Sequence, residues 1–229
     1  MDRRTFTSAM VSGTGLWFIA AEAQAFDLSD GDAASGVRAA LERGAIAAVG
    51  LLGKTDGFLG NPLVRIELPG FLKDVARLLK ATGQGKRVDD LVTAMNRAAE
   101  AAVPQAKQLL VSTVKNMSVS DGRKILTGGD NSVTTFFAEK TREPLGVKFL
   151  PIVTKATEKV ALADKYNAVA GKAAGLGLLN KDDANIQQYV TGRALDGLYL
   201  MIGEDERKIR KDPVGTGSAI LKKVFGSLK

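Results

Sequence analysis

The sequence predicts an all-α protein, built as a single-domain, irregular helical bundle. Apolar residues recur at steps of three and four along most of the chain, and glycines, prolines and capping residues separate these stretches. One long Gly/Pro loop, over 55–69, breaks the helical period. Within that loop, apolar and charged residues alternate over 64–68, which predicts a short extended segment. The chain has 229 residues, 45% of them hydrophobic, and is therefore long enough to bury one core.

Residues 1–25 are typical of a cleaved export signal. Arg3-Arg4 precede an apolar stretch over 9–21, and Ala23-Gln24-Ala25 supplies a small-residue cleavage site. We therefore expect cleavage before Phe26, with the mature chain forming a single helical domain in the periplasm. The arginine pair resembles the twin-arginine signal of a pathway that exports folded proteins, while the general secretory route stays open as the alternative.

The charge of the chain indicates which surfaces it meets after export. The full sequence carries a formal net charge of +7, and the predicted signal removes two residues of each sign. A basic exported protein is attracted to anionic surfaces, so we expect weak association with an anionic membrane surface. Solubility is the alternative role of such a charge. The absence of cysteine excludes lipid attachment at a signal cysteine.

The first elements of the mature chain follow from apolar periodicity. A helix is predicted from Asp30 to Leu52, where a glycine ends it. After the Gly/Pro loop, amphipathic helices are predicted over 71–82 and 88–103. Pro104 either kinks the second of these or starts a successor.

The middle of the chain carries clear helix-boundary signals. Ser118 and Asp121 have the spacing of a capping pair, and the short helix that they begin ends at Gly128-Gly129. Asp130 is placed to cap another helix that carries Phe136 and Phe137.

A further helix is predicted to open at Thr141 or at Glu143-Pro144 and to run to Val160, with a kink at Pro151. A short helix over 164–170 follows. The glycines of 171–180 then predict a loop.

The stretch 186–202 is apolar around its whole circumference, which predicts the buried central helix. The charged tail over 204–211 is expected to run into solvent. Asp212-Pro213 then begins a final helix that reaches Phe225.

Two absences in the composition narrow the chemistry. The chain has no Cys and no His, which excludes a disulfide, a thiolate nucleophile, a Ser-His-Asp triad, a Cys/His zinc site and a haem held by either ligand. We therefore predict no catalytic set, no metal and no cofactor.

Two glycine-rich stretches do not meet the requirements of nucleotide binding. Gly50–Thr55 ends in Gly-Lys-Thr, but Ala48 stands where a phosphate-binding loop requires its first glycine, and a helix stands where a strand is needed. The glycines of 171–177 lack the spacing of a dinucleotide-binding turn. We interpret the first stretch as a helix end and the second as a flexible connection.

Polar residues in turns of demanding geometry are the candidate binding residues, because loops on a rigid scaffold carry function. Two candidates also lie one turn apart on the predicted central helix, where charged groups need partners and an ion pair satisfies them as well as a ligand does. The candidates for binding a ligand or partner are Lys54, Thr55, Asp56, Asn61 and Arg65 in the Gly/Pro loop, Asp130 and Asn131 after the glycine pair, and Arg193 and Asp196 on the central helix.

Four unusual stretches follow one another in a fixed order: Gly53-Lys54-Thr55-Asp56-Gly57-Phe58-Leu59-Gly60-Asn61-Pro62, Gly128-Gly129-Asp130, Arg193-Ala194-Leu195-Asp196-Gly197-Leu198-Tyr199 and Leu221-Lys222-Lys223-Val224-Phe225-Gly226. Their order and spacing resemble a bacterial exported family catalogued as domain of unknown function 4197. The resemblance covers about 30–226. It implies a helical domain behind a signal peptide and supplies no activity, cofactor or catalytic residue. Members often carry a lipoprotein signal, from which this cysteine-free chain departs.

These observations favour an exported, non-enzymatic helical domain that binds a partner, or an apolar or anionic ligand, in the cell envelope. The alternative is an enzyme that uses Asp, Lys or Tyr chemistry in a cleft formed by the 54–65 loop, the 128–131 turn and Arg193. Nucleic-acid binding is not expected, because the chain is exported and has no dense basic run.

Overall fold

The computed structural model describes residues 30–129, 131–158, 160–175 and 185–212. These residues form helices joined by turns and contain no strand, which confirms the all-α prediction. The α-helices are α1 (Asp30–Leu52), α2 (Lys73–Ala81), α3 (Gly85–Ala102), α4 (Ala106–Lys115), α5 (Val119–Thr127), α6 (Ser132–Thr157), α7 (Ala161–Gly175) and α8 (Ile186–Lys211). Two short 3-10 helices, Gly70–Leu72 and Val103–Gln105, precede α2 and α4.

Helices α3, α6 and α8 pack together at the centre of the molecule, and α1 and α4 complete the core around them. Met95 on α3, Phe149 on α6 and Val190 on α8 are fully buried in this one hydrophobic cluster. The broad apolar surface of α8 lets it contact several neighbours at once, while Arg193, Asp196 and Leu200 lie on its one exposed strip. The prediction of a buried central helix over 186–202 is confirmed.

Helix α6 is one helix of 26 residues, and the predicted division into two helices is wrong. Pro144 and Pro151 lie inside it, on its exposed side. A proline inside a helix costs about 3 kcal/mol, because it removes one hydrogen bond and its ring collides with the preceding turn. The opposite face offsets this cost, since it buries a row of side chains four residues apart: Phe137, Thr141, Leu145, Phe149 and Val153.

Two predictions about the second half of the chain need correction. The charged tail of α8 does not run into solvent, because Glu206 and Ile209 are buried and Arg210 binds the α5 carbonyl of Ile125 at 2.7 Å. The glycine-rich stretch is helical as far as Gly175, since α7 extends through Gly171. A glycine costs a helix interior only about 1 kcal/mol, which neighbouring packing readily offsets.

The Gly/Pro loop folds as a series of turns, and the residues over 65–69 carry neither helix nor strand. Ile66 is nevertheless paired as a strand residue would be. The Asn96 side-chain amide of α3 accepts from the Ile66 N–H and donates to the Ile66 C=O, both at 2.8 Å. A buried side chain therefore takes the place of the neighbouring strand.

The boundary signals of the sequence agree with the observed caps. Ser118 and Asp121 form a capping box at the start of α5, and the Gly53 N–H donates to the Val49 C=O where α1 ends. The predicted export signal, the cap at Asp130 and the final helix beyond Asp212 lie outside the described residues. Within the described ranges, no helix combines the length and the apolar character needed to cross a membrane.

Candidate functional site

A buried carboxylate of α3 holds the turn over 54–61 in place through hydrogen bonds. Glu100 is 5% exposed, and its Oε1 accepts from the N–H groups of Phe58 and Leu59, both at 3.1 Å. Its Oε2 pairs with Arg97 at 2.6 Å, and Arg97 also binds Asp56 at 2.8 Å. The candidate Asp56 therefore belongs to an ion-pair chain that closes the turn.

The same turn is also anchored by its aromatic side chain. Phe58 is fully buried, and its ring fits against Gly197 of α8, where a Cβ atom would lie 2.8 Å from the ring. Asp56 holds a positive φ of 64°, a conformation that aspartate tolerates better than most residues. Lys54 and Thr55 remain exposed on the outside of the turn. These contacts account for the unusual sequence of the turn as a requirement of packing.

Asn61 starts the segment that lines the clefts. Its side-chain Oδ1 accepts from the Leu63 N–H at 3.1 Å, and its C=O accepts from the Arg65 N–H at 2.9 Å. Beyond this turn the chain passes between α8 and α3. We call Leu63–Leu68 the crossing segment.

A cleft of about 360 Å³ lies between the crossing segment and α8, and we call it the α8 cleft. It brings together three of the predicted residues: Arg65, Arg193 and Asp196. Its lining consists of Leu63, Val64, Arg65, Ile66 and Glu67 on one wall, and Tyr189, Arg193, Asp196, Gly197 and Leu200 on the other.

The charges of the α8 cleft are partly paired with one another. Glu67 binds Arg65 at 2.5 Å. Asp196 binds Arg142 of α6 at 2.8 Å through Oδ1, while its Oδ2 lies 3.7 Å from Arg193. The Arg193 guanidinium stands 5.2 Å above the Tyr189 ring, a cation–π contact. Arg193 and Asp196 therefore both belong to one cluster of charges, and both side chains are half-exposed.

The turn after Gly128-Gly129 lies elsewhere, so the three predicted groups do not form one cleft. Ser132, just after this turn, contacts Glu206 and Arg210 near the end of α8. Glu206 follows Arg193 by thirteen residues, which places it about 20 Å further along the helix. Asn131 precedes α6 without a side-chain cap bond, and Asp130 lies outside the described residues. Sequence spacing cannot show this separation, because it depends on how α6 and α8 pack.

Sequence reasoning missed a second cleft, which lies between α2, α3 and α7 and has a volume of about 240 Å³. We call it the apolar cleft. None of its described lining residues carries a carboxylate, and two cations and a glutamine are the most polar of them. The lining residues are Leu68, Leu72, Ala76, Leu79, Gln84, Arg87, Val88, Leu91, Lys165 and Tyr166.

An open groove of about 500 Å³ adjoins the apolar cleft. The two share Leu68, Ala76 and Val88, so one leads into the other. Among its described lining residues are four cations, Arg65, Lys73, Arg77 and Lys80, and two acids, Glu67 and Asp89. We call it the basic groove.

One sequence signal for the apolar cleft exists in α2. Both α2 and α3 are predicted to have an apolar face. Two such faces bury each other completely only when the helices pack closely along their whole length. In the structure α2 packs mainly on α3 and the preceding 3-10 helix. The remaining apolar surface of Leu72 and Leu79 therefore lines a cleft.

Comparison with known proteins gives one match. The model of a family described as Protein of unknown function (DUF4197) matches residues 27–226. No curated protein and no solved structure matches the chain.

Proposed function

We propose that this chain, which belongs to the family described as Protein of unknown function (DUF4197), is an exported, non-enzymatic helical domain. It binds an amphiphile with an apolar chain and an acidic head group in the periplasm. The observation that carries this proposal is the apolar cleft, whose described wall holds no carboxylate and which opens into the basic groove.

The apolar cleft suits a hydrocarbon chain. Its volume of about 240 Å³ is many times the roughly 10–15 Å³ that one water molecule requires on the same scale. Val88 and Leu91 of α3 form its buried floor. Each methylene that leaves water for such a surface contributes about 0.8 kcal/mol, which corresponds to about fourfold in affinity.

The surroundings of the apolar cleft suit an acidic head group. Arg87 and Lys165 line the cleft itself and are exposed at its rim. Neither forms an ion pair with a carboxylate of the described residues. On the other side, the described lining of the basic groove includes four cations and two acids. An anion at either mouth gains from these charges, and a cation does not.

A chain-length series tests this proposal directly. Binding of straight-chain alkyl carboxylates to the mature chain is measured by calorimetry, with alcohols of equal length as neutral probes. We expect affinity to rise about fourfold per added methylene, to level off when the cleft is full, and to be weaker for the alcohols. An affinity that does not depend on chain length contradicts the proposal.

Matched variants locate the site. Ala76→Phe places a large ring in the cleft, whereas Ala81→Phe makes the same change at an exposed position of the same helix. We expect the first to abolish carboxylate binding and the second to retain it. Likewise Arg87→Gln with Lys165→Gln should weaken binding of the carboxylate but not of the alcohol, while Lys107→Gln on the exposed face of α4 changes neither.

Export is proposed from the first residues of the sequence. The arginine pair, the apolar stretch and Ala23-Gln24-Ala25 support cleavage before Phe26 and delivery to the periplasm. The single tryptophan, Trp17, lies in the predicted signal, so the mature protein should lack tryptophan fluorescence. Mass spectrometry of the periplasmic protein checks the cleavage site. Replacing both arginines by lysine should block export if the twin-arginine route is used.

A weak association with anionic membranes follows from the same charge distribution. The basic groove and the net charge of +7 favour a surface of anionic lipid. Co-sedimentation with phosphatidylglycerol vesicles should decrease as salt rises, and phosphatidylcholine vesicles should not retain the protein. Salt-independent retention by both lipids contradicts this association.

A further inference from the structure

We propose that a small pocket near the C-terminal end of α8 binds an ammonium-type cation, the ammonium ion or methylammonium. This site and its ligand are separate from the apolar cleft and do not depend on the proposed function. The pocket has a volume of about 20 Å³, and we call it the acidic pocket. Two neighbouring acids of α8, Asp205 and Glu206, line it together with aliphatic side chains that include Val37 of α1, Ile125 of α5 and Val133 of α6.

The buried carboxylate of Glu206 has one oxygen without a partner. Its side chain is 5% exposed. Oε1 accepts from Nε and Nη2 of Arg210, at 2.8 and 2.6 Å, and from the Ser132 hydroxyl at 3.2 Å. Oε2 is buried and has no hydrogen-bond partner among the described residues. Because a buried charged acceptor without a donor is costly, Oε2 is the oxygen that gains most from a guest in the pocket.

A second carboxylate, that of Asp205, adjoins the same pocket. Its Oδ2 is turned toward α1, where a Cβ atom built on Gly44 would lie 3.2 Å from it. Gly44 also lines the pocket, so the glycine leaves room for the carboxylate there. Asp205 forms no hydrogen bond and no ion pair with any described residue. Its oxygens are therefore available to the same guest.

The charges around the acidic pocket favour a cationic guest. Arg210 compensates the charge of Glu206, and the next cation along α8, Arg207, pairs with Glu204. The charge of Asp205 is left without an ion pair in the described part of the chain. A monovalent cation compensates it, whereas an anion would be repelled by both acids of the pocket. Charge-assisted hydrogen bonds are about twice as strong as neutral ones, which favours a charged N–H donor over water.

The size and the apolar wall of the pocket limit the guest. One water molecule requires roughly 10–15 Å³ on this scale, so about 20 Å³ accepts a guest of about one or two non-hydrogen atoms. Val37 and Ile202 are 1% and 2% exposed and offer the contact that a single methyl group needs. Tetramethylammonium is larger than the pocket and has no N–H group to donate, which makes it the matched negative probe.

Saturation-transfer NMR of the mature chain at neutral pH tests the proposal, because it detects guest protons that contact the protein. At constant ionic strength, we expect transfer from the protein to the methyl group of methylammonium and none to tetramethylammonium. Ammonium chloride should displace methylammonium, and sodium chloride at the same concentration should not. Equal transfer to both cations, equal displacement by both salts, or no transfer to methylammonium overturns the proposal.

Matched variants locate the guest in the acidic pocket. Asp205→Asn and Glu206→Gln each remove one charged acceptor at nearly constant shape, and each should weaken methylammonium binding about tenfold. Glu139→Gln, at an exposed position of α6, should not change it. Asp205 is partly exposed, so Asp205→Asn is the variant expected to keep the parent fold, which circular dichroism checks. Binding by folded Asp205→Asn that equals binding by the parent overturns the proposal.

Discussion

Single buried carboxylates fix the turns and helix ends of this molecule, and Glu100 is the clearest case. Among the described residues, its carboxylate is the hydrogen-bond partner of both the Phe58 and the Leu59 N–H groups. Glu100→Ala should therefore lower the free energy of unfolding by about 3 kcal/mol, because it leaves buried donors without acceptors. Urea titration measures this loss. Glu139→Ala, at an exposed position of α6, should stay within about 0.5 kcal/mol of the parent.

Glu206 predicts how stability responds to pH. Burial is the largest effect on this carboxyl and raises its pKa above the ordinary value of 4.5, against the hydrogen bond from Arg210, which lowers it. Its Oε2 has no partner among the described residues. Between the ordinary value and the raised pKa, the folded chain binds more protons than the unfolded chain. The stabilising contribution of the protonated form is complete below the ordinary value and is lost as the pH rises through the folded pKa.

The variant Glu206→Gln isolates this effect. As the pH rises from below 4.5 through the folded pKa, the parent should lose stability that the variant keeps. The unfolding free energy of the variant should therefore increase relative to that of the parent. Asp205 lines the same small cavity, and Ser132 and Arg210 contact the carboxylate. These groups are unchanged in the variant. A pH-independent difference between the two proteins contradicts the prediction.

At the scale of elements, the close approach of α8 to the 54–61 turn depends on a glycine. A Cβ at Gly197 would lie 2.8 Å from the Phe58 ring and 3.2 Å from Val64, whereas a Cβ at Gly192, on the same helix, would meet no atom within 4 Å. Gly197→Ala should destabilise the protein by about 1–3 kcal/mol through overpacking. Gly192→Ala should stabilise it by about 1 kcal/mol through helix propensity. Thermal unfolding distinguishes the two; equal shifts would contradict the close fit.

Helices whose ends are marked by local chemistry could be predicted from the sequence, and those that depend on packing could not. The bounds of α1 and the capping box of α5 follow from nearby residues alone. Helix α6 could not be predicted as one element, because only its buried face shows why two internal prolines are tolerated. The segment predicted to be extended is irregular chain in the structure. Its Ile66 is hydrogen-bonded to Asn96, a residue thirty positions further along the sequence.

The candidate site shows the same limit at longer range. Turn chemistry drew attention to Arg65, and a charged pair on an apolar helix drew attention to Arg193 and Asp196. Their meeting in the α8 cleft depends on the path of the crossing segment, which no local pattern specifies. The apolar cleft was missed because a side chain that lines a cavity and one that fills a core have the same periodicity.

For the whole molecule, one continuous hydrophobic core predicts one cooperative transition. The core cluster includes residues of α1, α3, α4, α5, α6 and α8 together with Phe58 of the turn. That the mature chain forms a single domain is a prediction, and unfolding experiments test it directly. Urea unfolding followed by helical circular dichroism and by tyrosine absorbance should give coincident transitions. Two separated transitions, or a spectrum dominated by sheet, would refute it.

The crossing segment contributes residues to the walls of both clefts. Arg65 and Glu67 belong both to the α8 cleft and to the basic groove, which in turn shares Leu68 with the apolar cleft. A guest that orders or displaces this stretch of chain changes the surface offered to the guest on the other side. By thermodynamic reciprocity, each guest then alters the affinity of the other by the same factor.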